Sequence, residues 1–489
     1  MQITDLTHMP IWQHFYEITK IPRPSKHEEQ IQAFLKKFAE EHNLDYAQDK
    51  TGNIVIRKGA TPGMEDRETI ILQGHIDMVC EKNSDVEHDF YKDPIKTKIT
   101  DGWIHAEGTT LGADNGIGVA AGLAVLTDPS VEHGPVECLF TVDEETGLTG
   151  AMGIEPGFVQ GRILINLDSE DEGEMFIGCA GGMGTMAFFD YTTEATPAGQ
   201  IALEVKVSGL KGGHSGGDIH VGLGNANKLL VRYLYKVLKE VPEMRLATID
   251  GGNLHNAIAR EAKAVITIPA NRKEDLAIWA NEMDAEFRNE LKKVDPNVNL
   301  RVETTTTPKE VVDAKTADTV IRTLYACPHG VMGMSHSLEG LVETSTNLAS
   351  VKMQEGNVIS IETSQRSSTE SLKEDVGNML LALFELAGAR TEVRDGYPGW
   401  APNPDSEILK VAESTYRELF GKDPEVKAIH AGLECGLFLA KYPYLDMVSF
   451  GPTMRDVHSP AERMEIKTVE MFWRHLVAIL KNAPKRKYS

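Results

Sequence analysis

Five residues of this chain carry donors for transition-metal ions and fall where a strand pattern gives way to a turn: His75, Asp114, Glu145, Asp168 and His458. His75 ends the stretch Thr69-Ile70-Ile71-Leu72-Gln73-Gly74-His75-Ile76-Asp77, which reads as a buried strand leading into a polar site. Residues two apart in an extended chain face the same side, so Asp77 can hold the second ring nitrogen of His75. Imidazole and carboxylate together suit zinc, cobalt or manganese better than calcium or magnesium, which prefer oxygen alone. Five ligands exceed the three that a catalytic zinc usually takes, but they suit two ions if one carboxylate bridges. Such ions, roughly 3.5–4 Å apart, clamp an attacking water and a substrate oxygen. Glu144, beside Glu145, is then free to act as general base on that water. Taken singly these residues are commonplace among 73 acidic side chains. Their shared position at strand ends points to a metal centre.

The elements that position them follow a strand–helix alternation. Strands are predicted at Asn53–Ile56, Thr69–Gly74, Trp103–Glu107, Val136–Val142 and Arg162–Leu167, with an Ala/Gly-rich helix following Asp114. Ser25-Lys26-His27-Glu28 has the form of a capping box ahead of the apolar stripe Ile31, Phe34, Leu35, Phe38. This pattern predicts a mainly parallel sheet covered by helices, with ligands bound beyond the strands' carboxyl ends. From about Ala187 the pattern becomes α+β, with a strand at Gln200–Ser208 and a long helix over Asp218–Lys239. It also repeats itself. His214-Ser215 precedes Asn225 as His336-Ser337 precedes Asn347. A strand, an arginine and a helix start recur at Ala264–Leu276 and Val358–Leu372. The expectation is therefore an α/β catalytic domain over 1–186 and 397–489, interrupted by an internally duplicated α+β domain over 187–396.

At 489 residues the chain is long enough for two cores. Its formal charge of −23 argues against nucleic-acid or anionic-membrane partners. The five scattered cysteines form neither a disulfide framework nor a thiolate zinc site. The first residues lack a basic region followed by a long apolar one, and no 18-residue apolar run occurs, so a cytoplasmic protein is expected.

Gly74-His75-Ile76-Asp77, Gly112-Ala113-Asp114-Asn115-Gly116, Asp143-Glu144-Glu145-Thr146-Gly147, Asn166-Leu167-Asp168 and Val457-His458-Ser459-Pro460 resemble the metal and catalytic motifs of the di-zinc aminopeptidase/carboxypeptidase clan. Over the whole chain the resemblance is to the aminoacyl-histidine dipeptidases. It implies two Zn²⁺, with Co²⁺ or Mn²⁺ as substitutes. One ion would lie on His75 and Asp168, the other on Glu145 and His458, with Asp114 bridging. It further implies Asp77 steering His75, Glu144 as base, His214 at the oxyanion, and Asn256, Arg366 and Gly432 at the substrate's carboxylate. The implied substrates are unblocked dipeptides, among them Xaa-His and carnosine, and a homodimer is allowed. Two other readings stay open: an N-acyl amino acid deacylase or carboxypeptidase on the same scaffold, and a non-catalytic metal-dependent interaction protein.

Overall fold

The structure is a computed structural model, and it describes residues 2–486. The chain divides into two compact units. One comprises the residues up to Cys179, Trp400–Ala428 and those from Leu433 on; the other comprises Ala180–Gly399 and Ile429–Gly432.

The first unit is built on an eight-stranded sheet. From edge to edge its strands are Asp45–Gln48, Ile54–Lys58, Val136–Thr141, Ile70–His75, Ile163–Asn166, Asp446–Ser449, Glu174–Cys179 and Glu425–Ile429. The four central strands, from Val136–Thr141 to Asp446–Ser449, run parallel. Ile54–Lys58 and Glu174–Cys179 flank them antiparallel. Every residue of Val136–Thr141, Ile70–His75 and Ile163–Asn166 is buried, as expected for strands covered on both faces. The helix Ala113–Thr127 is buried from Ala113 to Leu126. Its small residues permit close approach: a side chain on Gly118 would meet the Leu167 carbonyl at 2.7 Å.

The second unit is a nine-stranded antiparallel sheet whose order is a palindrome. The strands Asn299–Thr305, Gln200–Ser208, Ala262–Pro269 and Arg245–Gly251 form one half. Val342–Gln354, Val358–Ser367, Gly181–Asp190 and Arg390–Tyr397 form the other, with Gly330–Met334 alongside Val342–Gln354. Each half is a β-α-β-β-α-β unit with strand order 4-1-3-2, and the two halves join through their second strands at Gly251 and Val351. The first half lies wholly between the first strand of the second half and that half's first helix, Ala314–Ala326. The duplication is thus visible in the topology. One of its predicted echoes falls on equivalent elements: Ala262–Pro269 leads into the helix Lys273–Glu290 as Val358–Ser367 leads into Glu370–Leu386. The other does not, because Asn225 caps the helix Ala226–Glu240 whereas Asn347 lies inside a strand.

Two further expectations are corrected. The helix placed at Asp218–Lys239 begins only at Ala226, after a 3₁₀ turn at Ile219–Val221 and Gly222 at φ +77°. Ser25 and Glu28 form no capping box: Ser25 Oγ donates to Asp77 Oδ2 (2.8 Å), and Glu28 Oε1 accepts from the Lys26 and Asp143 amides.

Candidate metal centre

The carboxyl ends of three adjacent parallel strands deliver the polar groups of the first unit. His75 is the last residue of its strand, Glu144 and Glu145 follow the strand ending at Thr141, and Asp168 follows the one ending at Asn166. Asp114 comes from the first turn of Ala113–Thr127, and His458 from the loop after Met454–Arg455, at φ +61°. The two carboxylate oxygens of Asp114 divide the site. Its Oδ1 lies 3.0 Å from His75 Nε2, which is itself 3.4 Å from Asp168 Oδ1. Its Oδ2 lies 3.0 Å from His458 Nε2, which is 3.0 Å from Glu145 Oε2. The result is two sets of three donors, His75/Asp114/Asp168 and Asp114/Glu145/His458, sharing one carboxylate. All five predicted ligands meet here.

The cluster holds more acceptors than hydrogens. Asp168 Oδ1 and Glu145 Oε1 are buried without a hydrogen-bond partner. Asp114 and Glu145, with their hydrogen bonds and charge, push His458 up to about 11. Burial would lower His75, yet Asp168 and Asp114 hold it well above its ordinary value. A site that draws protons onto both imidazoles and still leaves oxygens orphaned fits cations, and the nitrogen–oxygen donor set fits transition metals.

Around the donors stands a layer of groups that fixes them. Asp77 Oδ1 takes His75 Nδ1 (3.2 Å) and the Glu144 amide (3.1 Å), while Oδ2 takes Ser25 Oγ and the Glu145 amide (3.2 Å). Burial opposes its ionisation, but the His75 contact and these other hydrogen bonds bring it down to about 2. Asp77 therefore stays a carboxylate, orients His75 and anchors the backbone carrying Glu144 and Glu145. Burial, reinforced by Glu434, Glu145 and Asp114 and opposed by His75, pushes the Glu144 carboxyl up to about 8. Asp143, at φ +48°, accepts from the Thr146 and Thr149 hydroxyls and holds the same turn.

Four residues of this layer escaped sequence reasoning. Glu462 Oε2 accepts from the Leu111 and Gly112 amides (2.7 and 3.0 Å), and Oε1 from those of Ala113 and Asp114 (2.8 and 3.3 Å). Arg23, 3% exposed, donates to the carbonyls of Ile76 (3.0 Å), Asp77 (2.7 Å) and Gly112. Gln73 Nε2 donates to Glu434 Oε2 at 2.6 Å. Nothing distinguishes these residues in sequence from other glutamates, arginines and glutamines. The one available signal is period two, which puts Gln73 on the face of His75.

The other four predicted site residues all lie in the second unit, and contacts link them there. His214 Nδ1 accepts from the Gly216 and Gly217 amides (3.2 and 3.0 Å), so its proton resides on Nε2, which is left as a donor. Burial and the Arg366 charge lower its pKa and keep it neutral. The Asn256 carbonyl accepts from the Ser215 amide (2.8 Å). Arg366 Nη1 donates to Tyr397 Oη (2.7 Å), leaving Nε buried and unpaired. Gly432 packs on the Tyr397 ring, where a Cβ would stand 2.7 Å from it. An open cavity of about 290 Å³ is lined by Arg366, Tyr397, His255 and Ser364.

A paired donor cluster at the carboxyl ends of parallel strands suits a two-metal hydrolytic site of the kind aminopeptidases use. Residues 71–482 match the family described as Peptidase family M20/M25/M40, and the chain belongs to that family. It is 46% identical over 483 residues to the cytosol non-specific dipeptidase of Escherichia coli (strain K12), spanning 99% of both chains. The crystal structure of the aminoacylhistidine dipeptidase from Vibrio alginolyticus superposes with a TM-score of 0.95 at 46% identity, covering 99% of each chain. The aminopeptidase PepT from Bacillus cereus shares the fold, with a TM-score of 0.60, 16% identity, and 96% of this chain and 97% of that one covered. Among the described residues no helix is long and apolar enough to cross a membrane.

Proposed function

We propose that this chain is a two-metal dipeptidase that hydrolyses dipeptides with a free amino terminus, Xaa-His substrates such as carnosine among them, in the cytoplasm. The observation that carries the reading is the pair of donor triads sharing Asp114. We assign one ion to His75, Asp114 and Asp168 and the other to Asp114, Glu145 and His458, with zinc as the metal and cobalt or manganese as substitutes. When bound, the ions polarise the scissile carbonyl and make a water acidic enough to attack at neutral pH.

The chain's own residues do the rest. Glu144, whose amide is tied to Asp77, takes the proton from the attacking water and returns it to the leaving nitrogen. Asp77 keeps His75 in the tautomer that presents Nε2 to the cluster. His214, neutral and with its proton on Nε2, is a donor suited to the oxyanion. Arg366, with an unpaired Nε, offers a charged donor to the substrate's carboxylate, supported by Asn256 and the backbone at Gly432. The 46% identity to a dipeptidase over 99% of both chains supports the substrate class, and the name of the Vibrio alginolyticus relative supports an aminoacyl-histidine preference.

The test strips the protein with a chelator, restores zinc, cobalt or manganese, and measures hydrolysis of a dipeptide panel beside N-acetylated analogues. Activity on unblocked dipeptides that returns with metal is expected. Preference for the blocked compounds would replace this reading with a deacylase. Glu144→Ala should retain both ions and lose roughly 10²–10⁴ in turnover; normal turnover would remove Glu144 from its role.

A further inference from the structure

We propose that Glu434 recognises the free α-ammonium group of the substrate; the inference rests on the dipeptidase reading above. Glu434 opens the helix Glu434–Lys441 and is 2% exposed. Its Oε2 accepts from Gln73 Nε2 (2.6 Å) and Thr141 Oγ1 (3.1 Å), whereas Oε1 is buried and has no hydrogen-bond partner.

The two donors locate this carboxylate. Gln73 lies two residues before His75 on the same strand and shares its face. Thr141 stands directly opposite His75 in the parallel register. Glu434 therefore sits at the sheet face that carries the metal cluster. Mutual repulsion with Glu144 and Asp168 agrees with that position.

The arrangement is a built one. Gln73 Oε1 accepts from Asn166 Nδ2 (2.6 Å), Asn166 Oδ1 accepts from Ser449 Oγ (2.5 Å), and Ser449 Oγ meets Ser169 Oγ (2.7 Å). Each of the four parallel strands contributes one polar side chain to this row: Thr141, Gln73, Asn166 and Ser449. The row ends on Glu434, fixes one of its oxygens and leaves the other free. Burying a carboxylate with an unused oxygen is unfavourable unless a cation or donor arrives there.

Both metal triads are complete without Glu434, so the arriving cation belongs to the substrate. An unblocked dipeptide carries one, an ammonium with three hydrogens, close to the scissile bond. An N-acylated analogue has a single neutral N–H there. Glu434 thereby supplies a reason for selecting free amines that no metal ligand supplies.

The experiment is Glu434→Gln, which keeps the shape and the acceptor but removes the charge, with Glu434→Asp as the conservative variant. Both are made in the full chain and loaded with zinc. Measured are bound zinc, kcat and KM for an unblocked dipeptide, and the inhibition constant of the analogue in which hydrogen replaces the amine. Glu434→Gln should keep two zinc ions and raise KM for the dipeptide roughly 10- to 100-fold. The inhibition constant of the amine-free analogue should not move, and Glu434→Asp should recover part of the loss. A fall in kcat with both constants unchanged, an equal weakening of dipeptide and analogue, or loss of zinc would each overturn the proposal. A wild-type protein that cleaves no unblocked dipeptide would instead remove the dipeptidase reading, and that outcome is read before any variant is made.

Discussion

Glu462 offers the sharpest test of how the metal centre is held. Its carboxylate takes four backbone N–H groups, two on each oxygen, at the start of the helix that carries Asp114. In Glu462→Gln one oxygen keeps two of these bonds, and an NH₂ group faces the other two donors. Hydrogen bonds to a buried charge contribute about 1.5–3 kcal/mol each, so two lost bonds cost roughly 3–6 kcal/mol. The Arg23 guanidinium also loses a neighbouring anion, which adds to the loss. Because the Asp114 amide is one of the four donors, the shared carboxylate shifts as well, and metal affinity should fall about 10- to 100-fold. Urea unfolding of the metal-free protein reads the first effect, and zinc titration against a competing chelator reads the second. An unfolding midpoint and a zinc affinity both equal to the wild type's would refute the reasoning. Lost stability with unchanged affinity would show that Asp114 is placed by something else.

Asp114→Asn should weaken both metal sites together, so that bound zinc falls from two ions toward none rather than settling at one; elemental analysis after dialysis reads this, and one tightly held ion would contradict the shared carboxylate. Stability should also fall with acid through His475. It is buried, with Nε2 donating to the Ala412 carbonyl (2.9 Å), and burial lowers its pKa to about 4. Below pH ~6.5 the unfolded chain binds a proton that the folded chain refuses until pH ~4, so across that window roughly 3 kcal/mol is lost as pH falls. His475→Gln should flatten this slope in denaturation midpoints measured from pH 7 to 4, and an unchanged slope would exclude His475 as its source.

Much of the site was legible because its ligands follow strands, and strands declare themselves by runs such as Ile70-Ile71-Leu72 and Leu164-Ile165. His75, Glu145 and Asp168 could be placed from where those runs end. The strand Gln200–Ser208 likewise follows from apolar periodicity alone. What failed depended on tertiary partners. Ser25 and Glu28 match a capping box locally, but the Asp77 carboxylate and the Asp143 amide claim their side chains. Gly222-Leu223-Gly224 breaks the helix read at Asp218, which matched by composition but lacked a cap before Asn225. Glu462 and Arg23 bond only to backbone groups far along the chain, and no local pattern marks such a residue. The palindrome of the second sheet was half visible: periodicity repeats between its halves, but the pairing of Gly251 with Val351 that joins them is a register, and registers are set in space.

The supporting contacts explain how ligands so far apart in sequence arrive as one centre. Each segment that carries a donor is tied to the next by a side chain that is not itself a ligand. Asp77 joins the His75 strand to the turn of Glu144 and Glu145. Asn115, for which Gly74 and Gly118 leave room, donates to the Leu167 carbonyl (2.6 Å) and joins the Asp114 helix to the Asp168 loop. Glu462 joins that helix start to the segment of His458, and Arg23 joins it back to Ile76 and Asp77. These links converge on the start of the Asp114 helix and the end of the His75 strand, so moving any one donor means breaking hydrogen bonds in a neighbouring segment. Three carboxylates can then be held against their mutual repulsion, with two imidazoles between them, before any cation arrives, and the free energy of binding ions is not spent on assembling their site.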